Sequence, residues 1–322
     1  MPLGGGLAIF LATAGVLGTL VAFPNPAGER LRERMSELPV FLLAALALVL
    51  VGLADDRYRI HGRHKLLGQI ASCGIVVAGG LVIDRFSCFG WEINLGVWAV
   101  PVTLFWLLGA VNSINLLDGI DGLAATIGLI LCITIAALAI FAGSSEVAIV
   151  AAVFGGSLLG FLVFNFPPAS IFLGDAGSML IGLTTGVLSI KGALKGPGTA
   201  LLAALLAVWM IPILDSAAAI ARRTLTGRSI YSADRAHLHH RLLSLLGSNR
   251  KVLLCMGLLC AITSAAAVAS VFLTNDFVAV IVCLGLLAMF LATDVFGGTE
   301  LALLLSRLKL RQLGRNLGPV KK

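Results

Sequence analysis

The sequence predicts an all-α fold, a polytopic membrane helical bundle of about ten transmembrane helices. Of the 322 residues, 59% are hydrophobic and only 12% are charged, whereas a soluble domain carries about 25% charged residues. Apolar runs of about 17 to 22 residues recur, and each is long enough, or nearly so, for a helix to cross about 30 Å of hydrocarbon. Membrane barrel strands are about half that length and alternate in polarity, so helices are the predicted elements.

The predicted helices follow one another with short connections. No basic segment or cleavage signal accompanies the first run, so we expect it to remain as a helix. Two prolines end the sixth run, and a Gly-Asp pair opens the seventh. In chain order the runs span 4–23, 39–54, 66–83, 98–117, 122–142, 147–164, 177–191, 199–219, 252–273 and 277–295.

Alternation of the connections assigns each loop to one of two membrane faces. The first face carries the loops 55–65, 118–121, 165–176 and 222–251 and the tail from 296. It holds 17 of the 23 lysine and arginine residues, and the positive-inside rule places such a face in the cytoplasm. The net charge of +7 therefore indicates topology, and we do not predict nucleic-acid binding.

The chain divides into a transmembrane domain, 1–295, and a basic amphipathic tail, 296–322, which we expect to lie on the inner leaflet. The six cysteines fall mostly within apolar runs and lack the spacing of metal ligands. We interpret them as buried, unreactive thiols.

Two adjacent acids, Asp55 and Asp56, follow the second apolar run, and a basic segment, 57–65, comes directly after them. Adjacent carboxylates repel each other, so they persist most readily beside a cation or a basic group. Mg²⁺ with phosphate oxygens would provide that compensation. Two solvated acids paired with the neighbouring arginines are the alternative.

A second polar cluster ends the fourth apolar run. Asn112, Asn115 and Asp118 follow at steps of three residues, so on a helix they share a face, and Asp121 continues the series. Amides and acids at membrane depth are costly and usually face a cavity or a partner, and Gly119 favours a turn close to a ligand. The alternative is that the amides bond neighbouring helices and the aspartates cap helix ends.

The third cluster lies in the connection 165–178, where Asp175 follows Gly174 at the predicted start of a helix. A carboxylate beside a helix N-terminus suits a hard cation that bridges diphosphate oxygens. A simple N-cap is the alternative use of the same aspartate.

The fourth cluster lies in the longest loop of the first face. His237, His239 and His240 fall within four residues and have arginines on both sides. A structural zinc site needs two widely separated ligand pairs, and no cysteine accompanies these histidines. We therefore interpret them as phosphate-binding groups, with zinc binding and an idle solvated loop as alternatives.

All four clusters are predicted on one membrane face. Carboxylates for a divalent cation and basic groups for phosphates are what phosphoryl transfer from a soluble nucleotide to a membrane-resident acceptor requires. A transporter is the alternative from another class, and it would have polar groups at mid-membrane. Asp55, Asp118 and Asp175 instead lie at one end of their predicted helices.

The motifs resemble the polyprenyl-phosphate N-acetylhexosamine-1-phosphate transferase family, which includes undecaprenyl-phosphate GlcNAc-1-phosphate transferases and phospho-MurNAc-pentapeptide translocase. The His-x-His-His form is similar to the GlcNAc branch. CDP-alcohol phosphatidyltransferases share an Asp-Gly pair, but their closely spaced further aspartates are missing after Asp121. The resemblance covers nearly the whole chain, through segments 2–6, 55–56, 112–121, 165–178, 212–215 and 237–241.

The resemblance implies transfer of hexosamine-1-phosphate, most simply GlcNAc-1-phosphate, from a UDP-N-acetylhexosamine to polyprenyl phosphate, with release of UMP. It implies Mg²⁺ as the cofactor, with Mn²⁺ as a substitute, and a multi-pass protein of the inner membrane whose active site faces the cytoplasm. It implies a role at the first membrane step of cell-envelope polysaccharide assembly, and it leaves a homodimer open.

The resemblance also implies roles for single residues. Asp175 would ligate Mg²⁺, and Asp55 and Asp56 would act at the lipid phosphate, one of them as a general base. A phosphate monoester is already largely ionised at pH 7, so that base need contribute little. The other predicted catalytic residues are Asp118, His237, His239 and His240. The predicted substrate-binding residues are Asn112, Asn115, Asp121, Asn165, Phe172, Arg241, Lys65 and Arg235, of which Asp121, Asn165 and Phe172 would contact the uridine.

Members of that family usually carry another transmembrane helix and a basic loop before the Pro-x-Gly-Gly segment, whereas this sequence begins at Met1-Pro2. We therefore expect one helix, and a lysine-bearing part of the donor site, to be absent from this sequence.

Overall fold

A computed structural model describes residues 3–88, 91–193, 209–227 and 237–293. In these ranges the chain is almost entirely helical, with one short hairpin between the fourth and fifth helices. The elements are α1 (Gly5–Ala22), α2 (Pro26–Arg34), α3 (Leu38–Tyr58), α4 (Gly62–Ala78), β1 (Arg85–Cys88), β2 (Trp91–Asn94), a 3-10 helix (Gly96–Trp98), α5 (Ala99–Leu117), α6 (Leu123–Phe141), α7 (Ser145–Asn165), α8 (Gly174–Ala193), α9 (Met210–Leu225), α10 (Leu238–Leu246), α11 (Asn249–Phe272) and α12 (Asp276–Ala292).

The prediction of an all-α membrane protein is confirmed, but the count of about ten transmembrane helices is not. Among the described residues, six helical segments are long and apolar enough to cross a membrane. They comprise α1, α3, the segment Gly96–Leu117, α6, α7 and α11. Three further predicted spans correspond to α4 and α12, which have only 17 residues each, and to α8. The run 199–219 and the tail 296–322 lie wholly or partly outside the described residues.

Helix α8 forms the centre of the bundle, where α1, α3, α5, α6 and α7 pack around it. Small residues permit this because their backbones can approach closely. A Cβ added to Gly6 of α1 would lie 2.2 Å from the backbone N of Gly177, and one added to Gly52 of α3 would lie 2.3 Å from Cα of Ala176. The first turn of α8 therefore has no room for larger side chains on α1 or α3.

Three elements of the structure were not predicted from the sequence. Helix α2 forms in the loop 24–38 because Asn25 accepts a hydrogen bond from the Gly28 N–H (2.7 Å) and Pro26 suits the first helical position. Within the predicted loop 84–97, β1 and β2 pair as antiparallel strands. Helix α10, with His237 at its N-cap position, carries His239 and His240, whereas the sequence predicts a loop there.

Opposite ends of the bundle are held by different polar contacts. At one end, the C-terminus of α3, the N-termini of α4 and α8, the α5–α6 connection and α10 come together. At the other end, Lys191 in the last turn of α8 forms an ion pair with Glu37, which precedes α3. The four clusters of the sequence thus share one end, and helix α3 is joined to α8 at both.

The contact between α1 and α8 predicts a difference between two glycines of the same helix. Gly6→Ala should destabilise the protein by about 1 to 3 kcal/mol because the new methyl group overpacks the backbone of Gly177. Gly15→Ala should be neutral or slightly stabilising, since no atom lies within 4 Å of its added Cβ. Thermal unfolding in detergent, followed by circular dichroism, measures both variants, and equal melting temperatures would contradict the packing.

Candidate active site

The connection between α5 and α6 is tied to the connection between α7 and α8 by two side chains. Asn165 accepts a hydrogen bond from the Gly122 N–H (2.9 Å) and donates one to the carbonyl of Ile171 (2.9 Å). Asp121 accepts one from the Ala169 N–H (3.0 Å). Gly122 adopts φ = 74°, a left-handed conformation that glycine adopts without strain. These bonds hold residues 118–122 against residues 166–173.

Asp56 caps helix α8 although it belongs to helix α3. Its carboxylate accepts hydrogen bonds from the backbone N–H groups of Asp175 (2.8 Å) and Ala176 (3.4 Å). The first N–H groups of a helix lack partners within the helix, and the partial positive charge there favours a carboxylate. A Cβ on Gly174 would lie 2.5 Å from Oδ2 of Asp56, so the absence of a side chain at that position leaves space for the cap.

Lys65 lies between two carboxylates at the start of α4. Its Nζ is 2.9 Å from Oδ2 of Asp55 and 2.9 Å from Oδ2 of Asp175, and it donates to Oδ1 of Asn115 at 3.1 Å. Asn115 in turn donates to Oδ1 of Asp175 (2.5 Å) and to Oγ of Ser178 (2.9 Å). Lys65 therefore compensates the charge of two acids that would otherwise repel, and Asn115 fixes the carboxylate of Asp175.

A cavity of 350 Å³ opens between these elements. Its volume falls in the range of small-molecule sites, about 300 to 1,000 Å³. Six of the predicted site residues line it, four of them acids: Asp56, Asp118, Asp121, Asp175, Asn165 and Phe172. Leu3 also lines it, because the Gly5 and Gly6 N–H groups bond the carbonyls of Phe172 and Leu173 at 3.2 and 3.1 Å.

The acids around the cavity affect the pKa of Asp118. Burial raises the pKa of Asp118 to about 8, and the neighbouring carboxylates of Asp175, Asp56 and Asp121 add to the rise. A buried carboxylate facing like charges holds its proton unless a cation compensates it. The site is therefore suited to a ligand that brings positive charge.

The histidine cluster reaches this cavity from α10. His239 stacks on His237, with the ring centres 5.6 Å apart and the ring planes 10° apart. A Cβ on Gly119 would lie only 2.3 Å from Nε2 of His239, so the ring packs directly on the backbone beside Asp118. Helix α10 thus delivers imidazoles to the turn that carries the most strongly perturbed acid.

His239 is buried, with 1% of its surface exposed, and neither ring nitrogen has a hydrogen-bond partner among the described residues. Burial lowers its pKa to about 4, with His240 and His237 lowering it further and Asp215 opposing. The ring is therefore neutral at pH 7, with one donor and one acceptor. Buried polar groups without partners are rare and often mark functional sites.

Comparison with known proteins identifies the relatives of this chain. Residues 38–193 match the family described as Glycosyl transferase family 4. The chain is 36% identical over 271 residues to the "Probable undecaprenyl-phosphate N-acetylglucosaminyl 1-phosphate transferase" of Bacillus subtilis (strain 168), covering 83% of this chain and 73% of the relative. The chain belongs to glycosyl transferase family 4.

Two further relatives are also named as transferases. The chain is 34% identical over 304 residues to the decaprenyl-phosphate N-acetylglucosaminephosphotransferase of Mycobacterium tuberculosis (strain H37Rv), covering 83% of this chain and 72% of the relative. A phospho-N-acetylmuramoyl-pentapeptide-transferase of Streptococcus pneumoniae (strain Hungary19A-6) is 33% identical over 190 residues, covering 56% of each chain. The resemblance inferred from the motifs is thereby confirmed.

Some of the predicted site residues do not line the cavity. Asn112 exchanges hydrogen bonds with the buried Gln69 of α4 (3.0 and 3.3 Å) and does not line the cavity. Steps of three residues on a helix rotate by about −60° each, so Asn112 and Asp118 differ by about 120° around the axis. His240 and Arg241 lie on α10 but not on the cavity wall, and Arg235 lies outside the described residues.

One residue of the site was not assigned a role from the sequence. Asp215 in α9 is fully buried, and its carboxylate contacts both His237 and the first N–H of α10. The sequence did indicate that Asp215 has a partner, because an acid inside an apolar run usually has one. The sequence alone did not reveal that the partner was the histidine cluster.

The contact between Gly119 and His239 predicts a steric coupling. Gly119→Ala should destabilise the protein by about 1 to 3 kcal/mol because its Cβ overlaps the imidazole. Adding His239→Ala should relieve that clash, so the double variant should lose less stability than the sum of the single changes. Thermal unfolding in detergent measures the cycle, with Gly109→Ala as the control because nothing lies within 4 Å of its added Cβ. Additive losses would contradict the contact.

The raised pKa of Asp118 predicts that stability falls as pH rises when no divalent cation is present. The folded state keeps a proton up to about pH 8 that the unfolded state loses near pH 3.8, so the free energy of unfolding decreases across this window. Asp118→Asn should remove most of this dependence, whereas Asp84→Asn, at an exposed acid, should not. Melting temperatures in EDTA from about pH 5 to about pH 8.5 measure the effect, and identical profiles for wild type and Asp118→Asn would contradict it.

Proposed function

We propose that the protein transfers N-acetylhexosamine-1-phosphate, specifically GlcNAc-1-phosphate, from a UDP-sugar to polyprenyl phosphate and releases UMP. The observation that carries this proposal is the acidic cavity at the ends of apolar helices, with the buried His239 packed against its wall. The relatives named for such transfers, to undecaprenyl and decaprenyl phosphate, support the same reaction. Because the cavity lies at one end of the apolar helices, a soluble donor and a membrane-resident acceptor could both reach it.

The membrane setting follows from the distribution of charge. The loops and the tail that the sequence assigns to the same face as the cavity residues carry most of the lysine and arginine residues, which supports an active site on the cytoplasmic face of the inner membrane. We further propose that α4, α8, α12 and the apolar run 199–219 complete about ten membrane spans. The apolar runs 66–83, 177–191 and 277–295, which overlap α4, α8 and α12, support that count together with 199–219.

The donor groups around the cavity fit Mg²⁺, with Mn²⁺ as a substitute. Mg²⁺ prefers oxygen ligands and is usually bound through one or two carboxylates together with substrate phosphates. Within the described ranges no three His, Cys, Asp or Glu side chains are grouped to hold one ion. Asp175 and Asp118 are the residues that would hold it, and the bound ion would neutralise charge on the diphosphate. Oxygens of the substrate would complete its coordination.

In the proposed reaction, an oxygen of the acceptor phosphate attacks the donor phosphorus that carries the sugar. A phosphorus–oxygen bond forms to the acceptor, the bond to the bridging oxygen of UMP breaks, and UMP leaves. The acceptor phosphate is already largely ionised at pH 7, so Asp55 and Asp56 need not remove a proton from it. Catalysis then depends mostly on positioning and on compensation of charge.

Individual residues contribute to that positioning. Lys65 is expected to keep the carboxylate of Asp175 oriented while it offers positive charge near the acceptor phosphate. Asp121, Asn165 and Phe172 line the part of the cavity that we assign to the uridine. His237, His239, His240 and Arg241 lie beside the cavity at the start of α10, and we expect them to contact phosphate oxygens where the donor and the departing UMP extend beyond the residues that line it.

Neither alternative function is favoured by the geometry. A transporter would carry its acids near the middle of the membrane, lining a path. The acids of this cavity instead lie at helix ends: Asp56 near the end of α3, Asp118 just after α5 and Asp175 in the first turn of α8. A CDP-alcohol phosphotransferase remains without a supporting observation.

The proposal predicts Mg²⁺-dependent release of UMP. Membranes that contain the protein, incubated with UDP-GlcNAc, undecaprenyl phosphate and Mg²⁺, should yield UMP and a lipid-linked sugar. Asp175→Asn should reduce kcat by roughly 10² to 10³-fold because it removes charge at the reacting diphosphate. Glu146→Gln changes a buried acid at the start of α7 and should leave kcat unchanged.

Replacing UDP-GlcNAc by UDP-GalNAc or UDP-MurNAc-pentapeptide in the same assay identifies the preferred sugar. Turnover that is insensitive to Asp175→Asn, or a wild-type protein that releases no UMP with any of these donors, would refute the proposed function.

A further inference from the structure

Asp215 is a carboxylate enclosed by protein on every side, with 0% of its surface exposed. Burial of a charged group is costly unless hydrogen bonds replace the lost water. Both carboxylate oxygens have such partners: Oδ2 lies 3.0 Å from Nδ1 of His237, and Oδ1 accepts from the N–H of Leu238 at 2.7 Å. Its two bonds reach adjacent residues, 22 and 23 positions further along the chain.

The bond to Leu238 replaces a cap that helix α10 does not form from its own side chains. His237 occupies the N-cap position, and its side chain makes no capping hydrogen bond. Leu238 is the first helical residue, so its N–H has no partner within the helix. The carboxylate of Asp215 satisfies that N–H and complements the positive end of the helix dipole. Helix α10 therefore begins where Asp215 holds it.

The bond to His237 determines which nitrogen of that ring carries a proton. An ionised carboxylate can only accept hydrogen bonds, so Nδ1 must be the donor. In the neutral ring, Nε2 then has no proton and is left to accept one, and in the charged ring Nε2 donates. A carboxylate that holds an imidazole in one tautomer is a recurring device of catalytic sites.

The orientation of His237 is passed on to the cavity through packing. His237 stacks on His239, and His239 packs on Gly119, which follows Asp118. A rotated His237 ring could not keep the nearly parallel stacking of 10°. Asp215 is thus connected to the cavity wall through two imidazoles, although Asp215 itself does not line the cavity.

We propose that Asp215 is a positioning residue for the histidine segment: it caps helix α10 and holds His237 in the Nδ1-protonated tautomer. Its effect on catalysis rests on the proposed function, since the histidines are expected to act on the phosphates of the donor. The tautomer itself does not depend on which substrate the protein uses.

Asp215→Asn tests the tautomer directly. A carboxamide places one oxygen and one NH₂ group where the carboxylate has two accepting oxygens. If its oxygen keeps the Leu238 N–H, its NH₂ group faces Nδ1 and requires that nitrogen to be unprotonated. Nitrogen NMR of protein labelled with ¹⁵N in the histidine rings, with His237→Gln to assign the signal, should report Nδ1–H for the neutral ring in wild type and Nε2–H in Asp215→Asn. The same tautomer in both proteins would overturn the inference.

Kinetics provide the second readout. Asp215→Asn should lower kcat by roughly 10²-fold while the KM for the UDP-sugar changes much less. In a His237→Gln background, the same change should cost less than about threefold, because Asp215 acts through the missing imidazole. An equal loss in both backgrounds would indicate a merely structural carboxylate and would overturn the inference.

Two controls separate this inference from other failures. Glu146→Gln removes a different buried acid and should change neither the tautomer nor kcat. Circular dichroism in detergent should report unchanged helix content for Asp215→Asn. If the wild-type protein transfers no sugar phosphate, the proposed function fails, and the NMR comparison still decides the role of Asp215.

Discussion

The N-terminus of a helix at the centre of a bundle is fixed when another helix supplies acceptors for its first N–H groups, which have no partner within the helix. In this protein the helix is α8, and the acceptor is Asp56 of α3. That bond fixes the carboxylate of Asp175 in the same turn, where Lys65 and Asn115 can reach both of its oxygens. Helices α1 and α3 pack closely on the first turn of α8, so their positions are fixed relative to Asp175.

The acids of the cavity determine what must accompany the proposed diphosphate donor when it binds. Four carboxylates line the wall, and a diphosphate would add further negative charge to them. Such a ligand binds only if positive charge accompanies it or already lies nearby, since repulsion in a partly buried site is weakly screened. Lys65 is already paired with Asp55 and Asp175. Donor and divalent cation are therefore expected to bind together.

Much of this arrangement was predictable from the sequence. Hydrophobicity indicates where the membrane helices lie, and the alternation of successive helices indicates which of their ends share a membrane face. The runs 4–23 and 122–142 correspond to α1 and α6 within one residue at each end. The convergence of Asp118, Asp175 and the histidines followed from the same alternation.

Roles that depend on distant partners could not be read from the sequence. Asp55 and Asp56 are neighbours in the chain, but a helix turns by about 100° per residue. One therefore meets Lys65 and the other caps α8. The hydrogen bond from Gly122 to Asn165 and the partner of Asp215 are likewise long-range contacts that no local pattern specifies.

The ion pair between Glu37 and Lys191 has a mechanical consequence. It joins α3 to α8 at one end, and Asp56 joins the same two helices at the other, about 30 Å away along the 21 residues of α3. Two such attachments at opposite ends oppose sliding and tilting of the two helices relative to each other. Motion that admits or releases a ligand is then expected in the shorter parts of the site, the 118–122 turn and the nine-residue helix α10.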